Sequence, residues 1–425
     1  MPNETQSNSQ YLLVGPLTQC LPMTDLSLKG SLQDENLNVL KNVGILCKGK
    51  KIIKIADFEE LKTEASLFNA QLFMLEDNYV CIPGLIDAHT HICFMGSRAN
   101  DYAMRNAGKS YLEIANTGGG IWDTVTQTRK ASLEELAIIT TQRATSLLEA
   151  GITTIEVKSG YGLSIQEELK ILRAIQMANQ KVSADLISTC LAAHIVPKDY
   201  TGTAKAYLNE ISTSLFPVLL QEKLTHRIDA FIEKSAFTQT TIKPYLVQAK
   251  AMGFDLTVHA DQFTTGGSEI AIEFEALSAD HLEASTEKEI KSLANSNVIA
   301  VALPGASIGL GCNFTPARRI LDAGGGLAIA SDWNPGSAPM GDLLLQACIL
   351  GTFQKLTNAE LLAGMTYRAA AALNLDDRGT LAPNALADFN LFKTNHFNEI
   401  FYHQGKLKPT HVFKNGKPVK NNVSL

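Results

Sequence analysis

The chain has 425 residues, 45% hydrophobic and 19% charged, with a formal net charge of -6, the balance of a globular protein with one large domain and an appendage or with two domains. Mild acidity and the lack of a polybasic run argue against nucleic-acid and anionic-membrane partners, and no apolar stretch reaches the roughly 18–20 residues of a membrane-spanning helix. Residues 1–10 lack the basic and apolar regions of a signal peptide, and seven cysteines without a C-x-x-C pair predict reduced, mostly buried thiols in a cytoplasmic protein.

Residues 1–82 read as β-structure. Val43-Gly44-Ile45-Leu46-Cys47 and Ile52-Ile53-Lys54-Ile55 flank the polar stretch 48–51, a hairpin signal. Val80-Cys81-Ile82 then runs into Pro83-Gly84-Leu85-Ile86-Asp87-Ala88-His89-Thr90-His91. On a strand, residues i and i+2 share a face, so His89 and His91 point the same way and can bind one divalent metal. An isolated His-x-His fits two polar residues at a strand end equally well. The case therefore depends on ligands from later strands. Cys93 is near enough in sequence to be one, although core packing explains it more simply.

Beyond His91, short apolar runs alternate with helical patterns. Further strands are predicted at 153–157, 185–191, 228–232, 254–258, 276–279, 298–303 and 327–330. Ser132-x-x-Glu135 is a capping box for a helix that ends near Ala150, with Gly151 as its stop, and Ser164-x-x-Glu167 opens the next helix in the same way. Other helical stretches are 203–221, 238–251 and 285–294. With the His89 strand these make eight β-α alternations, which predict a parallel sheet closed into a (β/α)8 TIM-like barrel over residues 83–375. A doubly wound open sheet is the alternative, but no G-x-G-x-x-G follows the first strand. From about Gly379 the β-texture returns. Residues 387–392 are strand-like, and the runs 410–413 and 417–419 flank the hairpin signal Asn415-Gly416. Residues 1–82 and 376–425 are thus expected to form one small β-sandwich domain from both chain ends, with the barrel inserted between them.

In such a barrel, functional residues belong at the C-terminal ends of the strands. The first strand ends at His89 and His91, the fifth at His259-Ala260-Asp261-Gln262, the sixth at Asp280-His281 and the eighth at Ser331-Asp332. Of nine histidines, four sit at such ends and His194 closely follows the third strand, so a metal site outweighs four separate packing histidines. Imidazoles and carboxylates gathered at such ends can hold a divalent metal and leave it room to activate a water.

These residues also carry a family resemblance. The start around Pro83–His91, the later strand-end histidines, Asp332, and the tail with Ala387-Asp388-Phe389 and Lys414-Asn415-Gly416-Lys417 resemble the metal-dependent amidohydrolase superfamily. Within it, the chain is similar to the imidazolonepropionase family through Gly96-Ser97-Arg98, Gly118-Gly119-Gly120-Ile121, Glu156-Val157-Lys158-Ser159-Gly160-Tyr161-Gly162-Leu163, Ala193-His194, His259-Ala260-Asp261 and Ser331-Asp332-Trp333-Asn334-Pro335-Gly336-Ser337. The resemblance implies hydrolysis of the ring amide of 4-imidazolone-5-propanoate to N-formimidoyl-L-glutamate, a step of histidine degradation. It implies one metal, Zn2+ by default with Fe2+ or Fe3+ as the alternative, held by His89, His91, His259 and Asp332. It places Arg98, Tyr111, Tyr161, His194, Asn334, Gly336 and Ser337 around the substrate, and position 262 and His281 beside the reacting carbonyl. Relatives carry glutamate or glutamine at position 262. Gln262 can orient a ring but cannot take a proton, so acid–base duty falls on His281, Asp332 or both. Arg98 suits a propionate arm, or else is a surface residue or pairs with an acidic neighbour. A homodimer is also implied.

Other features have plain readings. Gly118–Gly120 and Gly324–Gly326 lack P-loop spacing and mark tight turns, the first a possible cover for the site and the second a helix stop. Lys158 and Lys234 raise the idea of a carboxylated lysine between two metals, but a structural or electrostatic role agrees better with one metal. His226, His396, His403 and His411 read as surface or packing residues. The rival functions are a deaminase of an aromatic or heterocyclic amine on the same cage, and a silent barrel that only binds a ligand.

Overall fold

The computed structural model describes residues 10–109, 113–114 and 117–419. Eight parallel strands run in sequence order around one sheet: Leu85–Asp87, Ile152–Lys158, Asp185–Ala193, Arg227–Ile232, Asp255–Ala260, Ser278–His281, Ile299–Ala302 and Leu327–Ile329. The sheet nearly closes on itself just beyond its first and eighth strands. There Asp332 N–H donates to the His89 carbonyl at 3.0 Å, His91 N–H donates to the Trp333 carbonyl at 2.9 Å, and Thr90 bridges Trp333 in parallel. This is the expected (β/α)8 barrel, not the open sheet.

Parallel strands covered on both faces are buried along their whole length. The second strand shows the consequence, since all seven residues of Ile152–Lys158 are buried, Glu156 and Lys158 included. Charges in such a place must be paired with one another. The fifth and sixth strands extend two residues further than predicted, through Ala260 and His281, because Ala260 and His281 still pair across the ladder. His259 and His281 are therefore held by strand geometry and not by loops.

Local rules explain most of the helices. Leu133–Glu149 opens with the predicted capping box: Glu135 N–H donates to Ser132 Oγ at 3.1 Å and Ser132 N–H donates to Glu135 Oε2 at 2.8 Å. Gly151 follows it with φ +96°. The next helix, Ile165–Asn179, forms only half of its box. Ser164 accepts from Glu167 N–H, but the Glu167 carboxylate turns to Lys170 Nζ at 2.5 Å, a correction to the expected reciprocal cap.

Two small sheets complete the structure. One is ordered Lys51–Asp57, Val43–Lys48, Tyr11–Leu17 and Gln71–Met74; the other Lys417–Pro418, His411–Lys414, Phe389–Lys393, Tyr79–Pro83 and Gln19–Cys20. They share an apolar cluster in which Val14, Ile45 and Cys47 meet Cys81, Phe389 and Phe413. Asn415 and Gly416, at φ +54° and +71°, make the predicted two-residue turn between the last two strands. Six of the seven cysteines are buried and Cys312 is exposed. Among the described residues no helix is long and apolar enough to cross a membrane.

Candidate metal centre and active-site cavity

Four predicted side chains converge at the C-terminal mouth of the barrel. His89 Nε2 lies 3.2 Å from His91 Nε2, which lies 3.4 Å from His259 Nε2. Asp332 Oδ1 is 3.5 Å from both His89 Nε2 and His91 Nε2. Four ligands around a tetrahedral ion at ordinary metal–ligand lengths stand roughly 3.3–3.4 Å apart. The spacing therefore fits one ion, and the donor set suits a borderline divalent metal. His281 also offers a nitrogen within 4.8 Å of those of His89 and His259, at the edge of the same cluster. Cys93 is elsewhere, with its thiol 3.8 Å from the Ile171 carbonyl in the core.

Each ligand is prepared by its surroundings. His89 and His91 extend from the first strand on one side, as their i, i+2 spacing requires. Burial pushes both imidazoles well below the usual range, and it takes His259 down to about 4, so all three are neutral at physiological pH. Behind His89 and His259 stand carboxylates that sequence reasoning left without a role. His89 Nδ1 is 2.6 Å from Asp280 Oδ2, and His259 Nδ1 is 2.9 Å from Asp229 Oδ2. A ligating histidine whose other nitrogen faces a carboxylate has its tautomer and ring orientation set. The signal for Asp229 was an acid in the middle of the apolar strand Arg227–Ile232, where only a paired charge can sit.

Lys158 joins these carboxylates. Its ammonium lies 2.8 Å from Glu156 Oε1, 2.8 Å from Asp229 Oδ2 and 3.6 Å from Asp280 Oδ2, all fully buried. Burial works against its charge, but the three carboxylates outweigh it and raise its pKa. A protonated amine has no lone pair to react with carbon dioxide, which leaves Lys158 an electrostatic anchor. Lys234 is exposed.

His281 ends the sixth strand with φ +87°. Burial pulls its pKa down, yet the Glu283 carboxylate, 3.4 Å from Nδ1, together with Asp332 and Asp280 more than offsets this and the net shift is upward. Glu283 is a further residue that the sequence did not single out. Burial raises the Asp332 carboxyl to about 6, with His281 as the largest opposing influence.

A cavity of about 960 Å³ opens over the cluster, lined among others by His281, Asp332, Gln262, Tyr161 and His194. Gln262 faces it from the loop after the fifth strand, which Asp261 shapes by accepting from Gly266, Gly267 and Ser268 N–H. His194 Nδ1 contacts the Gly160 carbonyl at 2.9 Å, and its ring stacks on His91 at 5.9 Å. Burial raises the Tyr161 hydroxyl and keeps it neutral. Arg98 lines the same wall while its Nε donates to Asp101 Oδ2 at 2.8 Å. Asn334 is mainly a loop organiser, its Oδ1 accepting from Gly336 N–H at 2.7 Å and Ser337 N–H at 2.8 Å. Tyr111 lies outside the described residues.

Comparison with known proteins agrees with this geometry. The Amidohydrolase family matches residues 80–419. An imidazolonepropionase of Acinetobacter baumannii is 37% identical over 392 residues, covering 92% of this chain and 97% of that protein. One from Fusobacterium nucleatum is 36% identical over 400 residues, covering 93% and 96%. Among solved structures, an adenosine deaminase from Xanthomonas campestris with bound zinc superposes with TM-score 0.69 at 17% identity, covering 96% of this chain and 92% of that one. An atrazine chlorohydrolase from Arthrobacter aurescens complexed with zinc gives 0.69 at 15%, covering 97% and 95%. At these identities the structures speak for the fold alone.

Proposed function

This chain belongs to the amidohydrolase family and, within it, to the imidazolonepropionases, and from that premise we infer that it hydrolyses the ring amide of 4-imidazolone-5-propanoate to N-formimidoyl-L-glutamate in histidine degradation. The observation that carries the assignment to a site is that the His91 Nε2 atom lies 3.2–3.5 Å from the imidazole nitrogens of His89 and His259 and from an Asp332 carboxylate oxygen, beneath a cavity that also presents Arg98.

In this reading His89, His91, His259 and Asp332 hold one divalent ion, with zinc as the metal and iron as the competing occupant. When bound, such an ion acts as a Lewis acid and brings a water towards ionisation near neutral pH. The protein groups do the rest. Asp280 and Asp229 orient the imidazoles from behind. His281, with its proton affinity supported by Glu283, exchanges the proton that must pass from the attacking water to the departing ring nitrogen. Asp332 shares that duty, its carboxyl already raised to about 6 by burial. Gln262 hydrogen-bonds the ring and takes no proton. Arg98 receives the propionate through the part of its guanidinium that Asp101 leaves open, and Tyr161, His194, Gly336 and Ser337 close the pocket around the substrate. Tyr111 is assigned to the substrate side by resemblance.

The domain limits at residues 82 and 375, a homodimeric state and a cytoplasmic location belong to the same reading. Seven unpaired thiols support the last. Sedimentation of the purified protein tests the dimer. The functional test is to purify without chelator, measure metal content, and follow loss of imidazolone-propionate absorbance in the same sample. About one metal per chain with turnover is expected. Metal without turnover would redirect the substrate search to aminated heterocycles, the deaminase rival. Absence of both after reconstitution would overturn the reading.

A further inference from the structure

The helix Ala99–Asn106 follows the first barrel strand and brings two arginines to one wall of the cavity. Arg98 is its N-cap residue, and Arg105 comes seven positions later, two turns on and thus on the same face. Their partners differ in kind. Arg98 Nε donates to Asp101 Oδ2 at 2.8 Å, and that oxygen also accepts Gly120 N–H at 2.8 Å. Arg105 donates through Nη1 to the Gly309 carbonyl at 2.7 Å and through Nη2 to the Gly336 carbonyl at 3.3 Å. A carbonyl satisfies an N–H group but does not cancel a positive charge. Two guanidiniums therefore share one carboxylate, and that carboxylate is itself partly engaged by backbone. The nearby Lys109 has its own partner, Glu113, at 3.0 Å.

Gly336 stands between the two arginines. Its carbonyl accepts from Arg105, and a Cβ on it would come within 2.4 Å of Arg98 Nη1. The backbone of the loop after the eighth strand is thus pressed against Arg98 by Arg105. The chain carries surplus positive charge where the wall faces the cavity, in a half-buried setting where it is poorly screened.

We propose that Arg105 is a specificity-determining residue that supplies the second positive charge of a carboxylate seat: Arg98 offers its fork to the ligand, and Arg105, occupied by two carbonyls, acts at one remove through its charge. The inference rests on the substrate reading above and adds a preference to it. A surplus of positive charge at the seat attracts ligands according to their negative charge, so it holds a dianion better than a monoanion of similar length.

Glutarate and butyrate are the probes, as simple ligands with two and one carboxylates. Their dissociation constants are measured by calorimetry on the metal-loaded full chain, for wild type, Arg105→Gln and Arg105→Lys, alongside the ionic-strength dependence of kcat/KM. Wild type is expected to prefer glutarate. Arg105→Gln loses glutarate affinity on the order of tenfold, loses much less for butyrate, and flattens the salt dependence. Arg105→Lys keeps the charge but not the planar fork that spans both carbonyls, and stays within about threefold of wild type. An unchanged glutarate-to-butyrate ratio and salt slope in Arg105→Gln would overturn the proposal. Equal impairment of the two variants would also overturn it, because Arg105 would then be a loop brace. If wild type failed to open the imidazolone ring but showed the Arg105-dependent carboxylate preference, the substrate reading would fall and the seat would stand.

Discussion

A histidine serves a metal well when its second nitrogen is engaged, and here that depends on residues far away in sequence. Asp280, 191 positions from His89, faces His89 Nδ1, while Asp229 faces His259 Nδ1, and Lys158 holds both carboxylates in a buried network. The same principle governs His281. Burial alone would lower its pKa, and the surrounding carboxylates, Glu283 first and then Asp332 and Asp280, reverse the sign. Replacing Glu283 with Gln removes that support, so the folded-state pKa of His281 falls and the limb of the kcat/KM pH profile governed by His281 moves to lower pH. A profile that stays in place, measured on folded and metal-loaded variant, would remove Glu283 from the mechanism. The histidines themselves were legible in the sequence because strand ends can be counted. Glu283 was not, because nothing in His281-Leu282-Glu283 says that the two side chains meet.

At the scale of elements, the strand ends carry the histidine–aspartate cluster and the loops beyond them line the cavity. The short helix Pro304–Leu310 is pressed onto the loop after the eighth strand at one point, Gly309, where a Cβ would lie 1.7 Å from the Ser337 carbonyl oxygen. No L-residue other than glycine fits there without moving the loop. Gly309→Ala is expected to displace Ser337 and Gly336 and raise KM several-fold, with metal content affected much less, because the three cage histidines lie outside this contact and only Asp332 meets Ser337, through a 3.4 Å hydrogen bond. Steady-state kinetics with metal analysis checks this, and wild-type KM in the variant would show that the loop yields freely. Helix starts and hairpin turns were readable where one residue decides them, as at Ser132 and Asn415-Gly416. Ser164 was read too generously. The local pattern permits a capping box, but Lys170 competes for the Glu167 carboxylate.

For the whole molecule, three of the four cage residues, His89, His91 and Asp332, lie at the seam of the barrel, and His259 reaches them from the fifth strand. The backbone of His89 and His91 is bonded to that of Asp332 and Trp333, so an ion held by these side chains would tie the first strand to the eighth a second time. Removing it should destabilise the fold as well as stop turnover. A ligand present at a thousand times its dissociation constant stabilises the native state by about 4 kcal/mol. Calorimetry with and without a strong chelator should show a clear drop in Tm that returned metal reverses. An unchanged Tm after verified metal loss would argue against a cage that spans the seam.

By itself the sequence determined the eight β-α alternations, the β-strands at both ends, the paired direction of His89 and His91, and the set of histidines that end strands. These follow from periodicities of two and 3.6 residues and from spacings of a few positions, which act within one segment and can be counted along the chain. The tertiary structure alone decided which strand-end acid stands among the clustered histidines and which behind them, that Lys158 is paired with Glu156, Asp229 and Asp280, and that Arg105 shares a wall with Arg98. Those outcomes depend on the register in which separate strands and loops meet. Register is set by the packing of the whole barrel, and no single segment contains it.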